Sequence, residues 1–126
     1  MFTPKLTRII EHAFVIQECC RVIIVVDGDG NVEKTKISIS GFVPEEYVKD
    51  VHYIIFDQEI EEWVTESLGI NVPKSVKPSN ALDDYLKNSG RKNGYDKSML
   101  PDFALKLELS KLRKLETFRR FCKLLI

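Results

Sequence analysis

The 126-residue sequence predicts an α/β fold, a small and mainly parallel sheet flanked by helices, with a helical cap at the C-terminal end. Three observations predict it. Two short apolar runs rich in β-branched residues, Val22–Val26 and Val51–Phe56, read as strands. About two dozen residues separate them, enough for a crossover connection, which favours parallel pairing over a hairpin. Around them lie segments whose apolar residues recur at helical spacing.

The elements follow in order. Thr3-Pro4 supplies an N-cap and a proline at the first helical position, and Leu6, Ile9, Ile10, Ala13, Phe14 and Cys20 share a helical face, so a helix spans about residues 4–20. The strand at 22–26 has five consecutive apolar residues, as expected of a strand covered on both faces. Residues 31–41 have two readings. Thr35–Ser40 alternates like a strand, while Asn31 as N-cap and Gly41 as a stop bracket a short helix. Beyond the strand at 51–56, Gln58–Leu68 forms an acidic helix stopped by Gly69, with Ile60, Trp63, Val64 and Leu68 on one face. Pro73 and Pro78 punctuate a connector, and Ser79 or Asn80 caps a short helix to Leu86. The polar, Gly-containing stretch 88–93 is a loop. Short helices at about 97–107, 110–115 and 117–125 complete the chain, packing through Leu109, Leu112, Leu115, Phe118, Phe121 and Leu125.

Composition bounds the function classes. At 44% hydrophobic and 30% charged, with net charge +0, the chain is expected to be a single globular domain over residues 1–126. The balance conceals an asymmetry: residues 1–85 carry 8 basic and 15 acidic side chains, residues 86–126 carry 11 and 4. The basic end suits a polyanion such as DNA or RNA, or else neutralises the acidic body within the fold. Cys19 and Cys20 are adjacent and Cys122 is remote, so no disulfide framework or Cys/His metal spacing exists. With no signal pattern and no membrane-length apolar stretch, a cytoplasmic protein is expected.

The chemistry-bearing motif is Val26-Asp-Gly-Asp-Gly30. Leaving the C-terminal end of a strand in extended conformation, Asp27 and Asp29 would point to the same side and share one Mg²⁺. Gly and Asp are equally turn formers, so the same residues also read as a plain turn. An EF-hand is excluded, because Val32 stands where its loop needs Gly and Ser38 where it needs a bidentate Glu.

Three pieces in order resemble stand-alone members of the TOPRIM class, the topoisomerase–primase domain shared with overcoming-lysogenization-defect nucleases. They are Val26-Asp-Gly-Asp-Gly30, the block Gln58-Glu-Ile-Glu-Glu-Trp63, and Leu112-Arg113 with Thr117-Phe-Arg-Arg-Phe121. The resemblance spans about residues 21–125 and implies Mg²⁺ on Asp27 and Asp29 and chemistry on phosphodiesters of DNA or RNA. It also implies a catalytic glutamate after an earlier strand. Here only a helix precedes 22–26, and Glu11 and Glu18 within it do not match, so the chain resembles an N-terminally shortened member.

Glu59 and Glu61 are the candidate substitutes, Glu61 with a structural carboxylate as its other reading. Arg119 and Arg120, with Lys97, are the candidate phosphate-binding residues, because guanidinium forks bind phosphate bidentately. Since helical neighbours diverge by about 100°, one arginine has pairing with Glu59 or Glu61 as its alternative. The expected function is a non-catalytic module that binds nucleic acid or a protein. Its alternative is a Mg²⁺-dependent nuclease or other phosphodiester-transfer enzyme. A shortened sheet leaves an open edge, for which a homodimer is one solution.

Overall fold

The structure, a computed structural model, describes residues 2–126. Its centre is a two-stranded parallel sheet, β1 (Val22–Asp27) beside β2 (Val51–Phe56), paired from Val22 with Val51 to Asp27 with Phe56. Both strands therefore end at the same edge. The crossover contains α2 (Val32–Ser40) and a 3₁₀ turn at Glu45–Asp50, so the helical reading of 31–41 holds. Asn31 decides it locally, its side chain accepting the Lys34 N–H at 3.0 Å.

Helices cover both faces of the sheet. On one, Ile10 of α1 (Pro4–Val15) and Ile39 of α2 pack with Val43, Val51 and Ile55. The Thr7 hydroxyl donates to the Phe42 carbonyl at 2.6 Å, tying α1 to the end of α2. On the other face, Phe56 meets Trp63 of α3 (Glu61–Leu68) edge-on at 5.2 Å, and Trp63 in turn meets Phe118 and Phe121 of α7 (Glu116–Leu124). The indole N–H donates to the Thr117 hydroxyl at 3.0 Å, so the one polar atom of this aromatic group is satisfied. Between α3 and α7 run α4 (Pro78–Asn88), a 3₁₀ turn at Lys97–Met99, α5 (Leu100–Leu105) and α6 (Leu109–Leu112), which seats the fully buried Leu112. An Arg21 guanidinium N–H donates to the Leu124 carbonyl, joining the start of β1 to the end of the chain's last helix.

Several expectations are corrected. β2, not β1, is the buried strand: β1 is half-buried and Val25 is exposed, because α2 and α7 pack on β2 and no helix packs as closely on β1. The first helix stops at Val15, where the chain turns through a left-handed Glu18, so Cys19 and Cys20 are exposed loop residues rather than helical ones. The acidic helix begins at Glu61 rather than Gln58. Its buried side is Glu61, Val64 and Thr65, while Leu68 is partly exposed. Leu109 and Leu125 are exposed and take no part in the packing of the cap. The loop expected at 88–93 is present beyond Asn88, the last residue of α4, and is tied back to that helix, the Arg91 N–H donating to the Leu86 carbonyl at 2.9 Å.

Candidate functional site

The shared end of the two strands is where open parallel sheets present ligands. Here β1 delivers Asp27 at its last residue and then turns sharply through Gly28-Asp-Gly30. The turn is pinned to the segment after β2: Asp29 N–H donates to the Gln58 carbonyl at 3.0 Å and Gly30 N–H to that of Asp57 at 2.7 Å. Gly28 is required there, since a Cβ at this position would collide with the Phe56 carbonyl.

Asp29 has φ +48, in the left-handed region, and its side chain is exposed. The extended geometry that would aim Asp27 and Asp29 the same way ends at Asp27. Asp27 is itself engaged: Oδ1 accepts the Ile60 N–H at 2.7 Å, and Oδ2 lies 3.7 Å from the Lys97 ammonium. As it stands, the turn offers a divalent ion no pair of free carboxylates. Among the described residues, no three His, Cys, Asp or Glu side chains gather as a metal site.

Glu61, the first residue of α3, is 0% exposed. Its Oε2 accepts the Tyr95 hydroxyl at 2.8 Å and lies 3.5 Å from the Lys97 ammonium, while Oε1 is buried without a hydrogen-bond partner. Lys97 thus stands between Asp27 and Glu61. Partial burial opposes its charge, yet Glu61 and Asp27 outweigh that effect and raise its pKa above the ordinary lysine value. The Tyr95 hydroxyl is pushed well above the usual phenol range by burial and by its hydrogen bond to Glu61. The loop carrying both is held by Asp83 of α4, whose Oδ1 accepts the Tyr95 N–H at 2.8 Å.

Glu59 does not join this cluster. Its Oε1 accepts the Ser79 N–H at 2.9 Å and so caps α4 from across the fold, a role that neither Ser79 nor Asn80 fills. Neighbouring Glu62 accepts the Gln58 N–H at 2.8 Å. Burial raises its pKa, the backbone hydrogen bond opposes this, and the nearby Asp57 charge adds to the rise.

The basic candidates fall in two places. Lys97 belongs to the acidic cluster. Arg119 and Arg120 are exposed on α7 and paired with neither Glu59 nor Glu61. An Arg119 guanidinium N–H donates to the Arg113 carbonyl at 2.8 Å, while Arg120 lines a cleft of about 290 Å³ with Lys36, Thr117 and the carboxylates of Asp57 and Glu62. A larger cleft of about 710 Å³ runs along the open side of β1, between Val25, Asp27 and Asp29 on one wall and Lys34, Thr35 and Ser38 of α2 on the other.

Sequence reasoning did not single out Tyr95, and it grouped Lys97 with Arg119 and Arg120, whereas the structure sets Lys97 between Asp27 and Glu61. The available signal was the turn-forming dipeptide Asn93-Gly94 just before Tyr95 and Lys97, and Gly94 indeed has φ +65. No helix among the described residues is long and apolar enough to cross a membrane. Comparisons with protein-family models, curated proteins and solved structures find no match to this chain.

Proposed function

We propose that this chain is a TOPRIM-like module that holds a DNA or RNA backbone against its basic C-terminal face without cutting it. One observation carries the reading: Arg113, Lys114, Arg119, Arg120 and Lys123 are all exposed on and around α6 and α7, and among the described residues none has an ion-pair partner within 4 Å. Such charges gain most from phosphates, whose counterions they release, with little dependence on base sequence. A cytoplasmic place of action agrees with the free thiols of Cys19, Cys20 and Cys122. The open side of β1 suits pairing with a second copy, so the module is expected to be a dimer at micromolar concentration by light scattering, and a monomeric mass rejects that part.

The test is binding of a single- or double-stranded oligonucleotide across a salt series. Affinity should fall steeply as salt rises. If each arginine neutralises one phosphate of a duplex, Arg119→Ala/Arg120→Ala flattens the log–log slope by about 1.8, at about 0.9 per phosphate. Absence of binding at low salt sinks the reading.

A second reading, a Mg²⁺-dependent nuclease, is favoured by the unpartnered buried Oε1 of Glu61, whose other oxygen shares Lys97 with Asp27, and requires Lys97 to leave its place. Cleavage of DNA or RNA by the wild type in Mg²⁺ or Mn²⁺, lost in Asp27→Ala, would establish it. No cleavage of any of these substrates supports the non-cutting module.

A further inference from the structure

We infer that Lys97 is a tethered cation, occupying with its own ammonium the position between Asp27 and Glu61 that a divalent ion would otherwise take. The inference rests on the non-cutting reading of the acidic cluster and is independent of the basic face. Three observations carry it. The Lys97 Nζ lies 3.7 Å from Asp27 Oδ2 and 3.5 Å from Glu61 Oε2, so one charge serves two carboxylates from different elements. Glu61 is fully buried and has no other positive partner within 4 Å among the described residues, which makes this ammonium the charge that balances it. The side chain of Lys97 is itself 61% exposed, arriving from a solvent-facing 3₁₀ turn rather than from the core.

An ammonium and a divalent cation cannot share these oxygens, because two like charges within a few ångströms repel strongly where water is partly excluded. The chemistry of the site follows from that exclusion. With Lys97 in place the carboxylates are neutralised internally. With it removed, Asp27 Oδ2 and Glu61 Oε2, the two oxygens that flank the ammonium, become hard, anionic donors of the kind that take Mg²⁺ or Mn²⁺ with water completing the shell.

The experiment compares wild type with Lys97→Met, which keeps an unbranched apolar stem and deletes the charge. Mn²⁺ binding is read from the free-ion electron paramagnetic resonance signal, and stability from thermal melts in chelator and in millimolar Mn²⁺. Lys97→Met should melt below wild type in chelator, recover on adding Mn²⁺, and bind Mn²⁺ at least tenfold more tightly than wild type. Adding Asp27→Asn to it should abolish the gain. If Lys97→Met is unfolded in chelator, the same comparison is read as refolding on Mn²⁺ addition by circular dichroism.

Wild type binding Mn²⁺ as tightly as Lys97→Met overturns the inference, as does a Lys97→Met protein that neither binds nor is restored, or a gain that survives Asp27→Asn. None of these readouts involves nucleic acid. Failure of the tethered cation and failure of backbone binding through Arg119 and Arg120 are therefore distinguishable.

Discussion

Asp27 shows how a residue's place can be read from the sequence while its partners cannot. Its position at the end of a strand was legible in the sequence, because five apolar residues followed by Asp-Gly announce where the strand stops. Its partners were not legible: the Ile60 N–H and the Lys97 ammonium come from segments that only the tertiary fold brings together. Since Oδ1 fixes the approach to α3, Asp27→Ala should destabilise the protein by about 1.5–3 kcal/mol in urea unfolding, the range for losing a hydrogen bond to a charged group. Asp27→Asn, which keeps an acceptor at that place, should cost less. Equal stabilities for both variants and wild type would show that this hydrogen bond contributes nothing. Glu61 was singled out in the sequence as an alternative catalytic residue with a structural role beside it. What the helical spacing could not convey is that its side chain lies wholly inside, since burial of a carboxylate depends on a tyrosine and a lysine supplied by a loop more than thirty residues away.

At the scale of elements, the segment from Gly90 to Met99 is the least legible part of the chain and the most informative in the fold. Its first part, within 88–93, reads as a polar, Gly-containing loop, because periodicity carries no information where no face repeats, and only from residue 97 does a helix read. Its form is set from outside. Asp83 of α4 accepts the Tyr95 N–H and pairs with Lys87 at 2.9 Å, and a Cβ on Gly94 would collide with the same carboxylate. The backbone hydrogen bond from Tyr95, with help from Lys87, holds the Asp83 carboxyl below the usual range. A carboxyl whose folded pKa is depressed stabilises the fold above its unfolded pKa, and that contribution disappears as pH falls through the folded value. Thermal stability of the wild type should therefore drop on acidification below the ordinary aspartate range more than that of Asp83→Asn does. Parallel pH profiles for the two proteins would refute the latch. A Gly94→Ala variant should displace the loop and move the Tyr95 ring, visible as a change in near-ultraviolet circular dichroism.

For the whole molecule, the α/β class and the parallel pairing were legible because strand composition and the length of the crossover are local properties. The division of burial between the strands was not: Val25 is as apolar as Ile54, yet one is exposed and the other buried, because only β2 has helices packed closely on both sides. The same limit explains why Leu109 and Leu125 were expected in the core and lie outside it. Trp63, placed by its spacing on the apolar face of its helix, forms the aromatic group with Phe56, Phe118 and Phe121. Trp63→Ala should cost about 3–5 kcal/mol by the usual penalty for truncating a large aromatic in a packed site, measured by urea unfolding. A loss under 1 kcal/mol would show that α7 is held mainly by other contacts.

The register of the two strands also sets the order in which the chain can assemble. No hairpin can seed a parallel pair, so Val22 cannot meet Val51 until the whole connection through Ile39 and Val43 has collapsed between them, and the entropy of closing that loop falls on the earliest step. The nucleus for folding should then be the contiguous stretch from β1 to β2, with α6 and α7 docking on Phe56 afterwards. Stopped-flow chevrons would read this directly: Ile39→Val and Ile55→Val should slow folding, while Leu112→Ala and Phe118→Leu should mainly speed unfolding. The opposite pattern would mean that the aromatic C-terminal half forms first and that the sheet condenses onto it.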